Sequence, residues 1–94
     1  MSEADKMFEE LGFKITENEK MGIQYTKRDS MSEMKRVGFI VEKFIEFYHQ
    51  HKEILIYTNQ CFKDGQISRW DTSVIKMQEL KAINQKCKEM RMAR

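Results

Sequence analysis

The sequence predicts an α+β domain: an antiparallel sheet of about four strands, formed by two hairpins and covered by an N-terminal and a C-terminal helix. Three observations carry this. The apolar period changes along the chain from about 3.6 to 2 and returns to 3.6 at the end. The middle of the chain is dense in β-branched and aromatic residues, which favour strands. Proline is absent and there are four glycines in 94 residues, so no linker divides the chain, and positions 1–94 are expected to form a single domain.

A chain of this length has room for one modest core, since a domain of its size buries only about 60% of its unfolded surface. With 40% hydrophobic residues, six Phe, three Tyr and one Trp, the composition is that of a folded domain rather than a disordered one.

The first helix is expected over about 2–11: Ser2 has capping-box spacing to Asp5, and Ala4, Met7, Phe8 and Leu11 recur at helical intervals. Gly12 followed by Phe13 is the pattern of a left-handed C-terminal cap, with Phe13 folding back on the last turn. Over about 13–27 the period becomes 2, with Phe13, Ile15, Met21, Ile23 and Tyr25 on one face and the polar "ENEK" as the turn. The segment "KRDSMSEMKRVG" is read as a loop over about 28–38, with capping-box spacing between Ser30 and Glu33.

A second hairpin follows over about 39–57, broken by "HQHK", with Ile45, Phe47, Ile54 and Ile56 on one face. Phe44, Glu46, Tyr48, Leu55 and Tyr57 fall on the other face, which is only partly apolar. The Asp64-Gly65 pair signals a further turn and a possible edge strand. The last helix, about 74–90, has a stripe of Met77, Leu80, Ile83, Cys87 and Met90 to cover the sheet, opposite Lys76, Lys81, Lys86 and Lys88.

The segments "IKMQELKAINQKCKEM" and "ADKMFEELGFK" together resemble a family of small proteins encoded by phages and prophages of Gram-positive bacteria. Its members open on a helix ending in an "MFEELGF"-like segment and finish on a "TMEELKAINKK"-like helix. The family has no established activity, so the resemblance implies an accessory role toward a host or phage protein and no catalytic residue. This chain departs from the pattern at Lys76, where members place Thr or Ser as helix cap; Ser73 or Thr72 would be the substitute caps.

Charge is nearly balanced, with 17 basic against 15 acidic residues. Positions 1–61 hold nine basic and eleven acidic side chains, net −2, whereas 62–94 hold eight and four, net +4. No apolar run reaches the ~18 residues that span a bilayer, and the acidic, amphipathic start is unlike a secretory signal. The expectation is therefore no membrane partner and a place in the cytoplasm of a bacterial host cell. Two cysteines, Cys61 and Cys87, are too few for a disulfide framework.

The chemistry-bearing candidates are few. His49 and His51 share a strand face and with Cys61 imitate a metal site, but further ligands at suitable spacing are missing, so no metal is expected. Cys87 lies on the apolar stripe of the last helix, which is no place for a nucleophile. With no glycine-rich phosphate loop and only solvated acid pairs, neither an enzyme nor a cofactor is expected.

Two binding readings remain. Phe44, Tyr48, Tyr57, Phe62 and Trp70 exceed what one face of a small core needs, so some of them would form a protein contact surface or a homodimer seam. Alternatively Lys81, Lys86, Lys88, Arg91 and Arg94 would form a basic strip on the last helix for nucleic acid, with Tyr48, Tyr57 or Trp70 stacking on bases. The bland counterpart is that helices and loop bury the aromatics, and that the lysines are a solvated face.

Overall fold

The computed structural model describes residues 2–28, 38–70 and 75–91. The predicted loop over 28–38 therefore lies almost wholly outside the described residues, as do Thr72, Ser73 and Arg94. Among the described residues two helices, α1 (Glu3–Glu10) and α2 (Met77–Glu89), flank a five-stranded antiparallel sheet in the order β1-β2-β3-β4-β5. The strands are β1 (Lys14–Asn18), β2 (Gly22–Arg28), β3 (Phe39–Tyr48), β4 (Glu53–Phe62) and β5 (Ile67–Trp70). The α+β class is as predicted, with one strand more than the two hairpins supplied.

Local chemistry sets the first helix as the sequence indicates. The Ser2 side chain accepts from the Asp5 amide. At the other end Phe13 N–H donates to Phe8 C=O and Gly12 N–H to Glu9 C=O, with Gly12 at φ +93°, the left-handed cap that only glycine adopts without penalty. Phe13 then packs edge-on against Phe8, ring centroids 5.6 Å apart.

In the first hairpin the turn falls later than "ENEK": Glu19 and Gly22 exchange backbone hydrogen bonds around Lys20 and Met21. A bulge between Ile15 and Glu17 puts an extra residue into β1 and moves the turn along. Ile15, on the edge strand, and Met21, in the turn, are both exposed rather than buried. The second hairpin keeps the predicted faces, with Ile45 opposite Ile56 and Phe47 opposite Ile54. It is longer than predicted, because β4 continues through the polar "TNQC" to Phe62, and the Asp64-Gly65 turn returns the chain as β5.

Both helices pack on the face bearing Tyr25, Ile45 and Phe47, where the core is completed by Phe8, Phe13, Ala82, Ile83 and Cys87. The stripe predicted for α2 needs correction. Met77 and Leu80 are exposed, while Glu79, Ala82, Ile83, Lys86 and Cys87 are buried. The helix is turned so that two charged residues face inward, and each has a partner there. Glu79 accepts from Lys43 Nζ at 2.7 Å and from the Lys76 backbone N–H at 2.9 Å. Lys86 Nζ donates to Asp5 at 3.3 Å. The cap stays at Lys76, whose amide is satisfied by Glu79 although its side chain has no acceptor to offer.

Candidate functional site: the open sheet face

Because side chains alternate across a strand, the face opposite the helices is built from the other half of each strand. It carries Lys14, Thr16, Glu17, Gln24 and Thr26, then Ile40, Glu42, Phe44, Glu46 and Tyr48, then Glu53, Leu55, Tyr57, Asn59 and Cys61, then Ile67 and Arg69; of these Ile40, Glu46 and Tyr57 are buried. Among the described residues no helix lies over it.

Glu46 is the centre of this face, and it is buried although charged. Its Oε1 accepts from Tyr48 Oη at 2.6 Å, and its Oε2 accepts from Tyr57 Oη at 2.8 Å and from Gln24 Nε2. Gln24 is held in turn by Thr16, whose hydroxyl donates to Gln24 Oε1 at 2.7 Å. Burial pushes the Glu46 carboxyl upward, but the hydrogen bonds from Tyr48, Tyr57 and Gln24 and the charge of Arg69 outweigh it and hold Glu46 below the usual glutamate range. The same bond to Glu46, with burial, pushes Tyr48 up to about 12; burial and Glu46 raise Tyr57 further.

Beside this network the rings stack. Phe44 and Tyr57 lie nearly parallel with centroids 4.8 Å apart, and the Arg69 guanidinium sits 4.0 Å from the Tyr57 ring. From the strand order, Tyr57 stands between its β3 neighbour Phe44 and the β5 residue Arg69. At the corner next to Tyr48 a cleft of about 260 Å³ is lined by Glu17, Glu19, Met21, Gly22, Gln24, Glu46 and Tyr48. Gly22 is required at its base, since a Cβ there would come within 2.5 Å of the Phe47 carbonyl.

Both tyrosine shifts have the same consequence for pH. A tyrosine raised on folding contributes stability that is present below its unfolded value of 10.0 and is lost as pH climbs through the folded value. All three tyrosines of the chain, Tyr25 included, are raised, so in the native protein phenolate absorbance should not begin its rise at 10 but near the Tyr48 value of about 12. Glu46→Gln should bring the first phase back toward 10 by removing the neighbouring negative charge. A single wild-type midpoint at 10 would count against the network.

The structure divides the sequence-predicted site residues between two sides of the molecule. Tyr48 and Tyr57 share the open face and one carboxylate. Trp70 ends β5 opposite Thr58, and its side chain lies outside the described residues. Lys81, Lys88 and Arg91 are exposed on or just beyond α2, across the sheet from the tyrosines. Lys86 has to be withdrawn from that strip: it is buried, because Asp5 on α1 offers it a partner inside.

Gln24, Thr16 and Arg69, and the central role of Glu46, are not legible as a site in the sequence alone. The signal for them was the regular interleaving of polar residues with Phe44, Tyr48 and Tyr57. His49 and His51 are exposed in the β3–β4 turn, and Cys61 Sγ donates to Glu42 at 3.1 Å, its thiol pushed up by burial and by that carboxylate. Among the described residues no group of three His, Cys, Asp or Glu is placed to hold a metal ion, and no helix is long and apolar enough to cross a membrane.

The chain matches no protein-family model, no curated protein and no solved structure.

Proposed function

We propose that the protein is a non-enzymatic accessory protein of phage or prophage origin that acts in the bacterial host cell by binding another protein through the open face of its sheet. The observation that carries this reading is the Arg69–Tyr57–Phe44 stack beside Tyr48 on the face that no described helix covers. Tyrosine and arginine are the side chains that most often dominate protein contacts. Here they are fixed in advance by stacking and by Glu46, so little side-chain entropy is lost when a partner arrives. The phage context rests on the resemblance of the two terminal segments.

The network speaks for binding rather than catalysis. Each Glu46 oxygen is occupied by a donor, and the tyrosines hold their protons tightly, so no group there is poised to exchange a proton near neutral pH. The nucleic-acid alternative, which relied on the basic side of α2, is weakened by the burial of Lys86. The lysines that remain there lie on the opposite side of the sheet from the rings that would stack on bases.

Affinity capture from a host lysate, with the bound protein identified, tests the proposal. Arg69→Glu should reduce capture by about tenfold or more, whereas Lys81→Glu/Lys88→Glu should leave it unchanged. The reverse pattern, or retention on heparin that only the lysine variant loses, would transfer the function to α2.

A further inference from the structure

We infer that the partner presents an extended basic segment to the open sheet face and seats a lysine or arginine side chain in the cleft beside Tyr48. This rests on the proposal that the open face is the docking surface, and it specifies the chemistry of what docks. The argument is one of charge complementarity. Around the cleft stand Glu17 and Glu19, with Glu53 directly across from Tyr48 on β4. Among the described residues no salt bridge reaches any of the three. Of the cations next to them in sequence, Lys20 lines a different hollow with Met21, His49 and Gln50, and Lys52, beside Glu53, does not line the cleft.

The shape fits as well as the charge. A cleft of about 260 Å³ has the Tyr48 ring and Met21 as apolar wall, which suits the alkyl stem of a basic side chain. Its rim carboxylates would meet the charged head, and the Tyr48 ring would add a cation–π contact. Arg69, whose charge already acts on Glu46 and Tyr48, would disfavour a uniformly basic surface and favours a segment that is basic at one end. A phosphate backbone would be repelled from the corner by the same carboxylates.

The test is an NMR titration of the full-length ¹⁵N-labelled protein with a short capped peptide of alternating glycine and lysine, against the same peptide with glutamate in place of lysine. Amide shifts are expected at Glu17, Glu19, Gly22, Gln24 and Tyr48 with the lysine peptide alone. Glu17→Gln/Glu19→Gln, at two exposed positions, should weaken the peptide by about fivefold or more. Shifts spread equally over Glu3, Glu9 and Glu10 of α1, or unaltered by the double variant, would overturn the inference. So would the same shifts arising from concentration alone, which would make a second copy the occupant, or from a single-stranded oligonucleotide. In the lysate capture, a partner lost by Arg69→Glu but kept by Glu17→Gln/Glu19→Gln would remove the basic segment and leave the docking face standing. A partner kept by both variants would remove both.

Discussion

Phe8→Ala is expected to cost about 3–5 kcal/mol, a large part of the ~5–15 kcal/mol that holds a small domain together. Phe8 is fully buried and, among the described residues, is the one helix side chain in ring contact with three others. It stacks on Tyr25 with centroids 4.1 Å apart and meets Phe13 at 5.6 Å and Phe47 at 6.1 Å, both edge-on. Tyr25 and Phe47 belong to paired strands whose register is fixed along their length, so they cannot move inward to fill the space left by the ring. The transfer cost and the cavity cost therefore both apply. In urea, the unfolding midpoint should fall while the slope stays unchanged. Met77→Ala, at a position 69% exposed, is the control and should shift stability by no more than about 0.5 kcal/mol. A loss at Phe8 below about 1.5 kcal/mol would mean that the ring cluster is not the centre of the core.

What the sequence disclosed and what it withheld follow from the range of the interactions involved. Gly12 and Phe13 announce a helix end because the cap is completed within a few residues. Ile45, Phe47, Ile54 and Ile56 announce a shared face because a hairpin pairs them at fixed offsets. The orientation of α2 is different in kind. Met77 and Leu80 look like core residues, and Glu79 and Lys86 look like solvated ones, on any scale that scores a residue alone. Their true placement depends on Lys43, 36 positions from Glu79, and on Asp5, 81 positions from Lys86, and nothing near α2 in sequence reveals those partners. The open face was half legible for the same reason. Tyr48 and Tyr57 stand out as surplus aromatics, but that both converge on Glu46 requires the β3–β4 register, and that Arg69 caps the stack requires β5. "TNQC" gives little strand signal because that part of β4 is only half-buried and its polar side chains are tolerated.

The second large effect is expected where the two helices are joined. Asp5 Oδ1 accepts from Lys86 Nζ at 3.3 Å and from the Tyr25 hydroxyl, and Glu89 approaches Lys86 only to 4.0 Å. Asp5→Ala would leave an ammonium that is 8% exposed with that one distant carboxylate, and a buried phenol without its acceptor. Removing one partner of a buried pair strands the other's charge, so a loss of about 2–4 kcal/mol is expected. Lys86→Met should cost less, because the more exposed Asp5 can turn to water. The double variant Asp5→Ala/Lys86→Met should be more stable than Asp5→Ala alone, giving a coupling energy of about 1–3 kcal/mol. The sign with pH follows from Asp5. Burial raises its carboxyl, but Tyr25 and Lys86 together hold it below the ordinary 3.8. A carboxylate depressed on folding contributes stability above its unfolded value and loses it as pH falls through the folded value. The penalty of Asp5→Ala, measured by urea unfolding across the acid range, should therefore be full at neutral pH and shrink below 3.8, because the wild type gives up the same interaction there. A penalty that stayed constant into acid would assign the loss to packing around Asp5 and not to its charge.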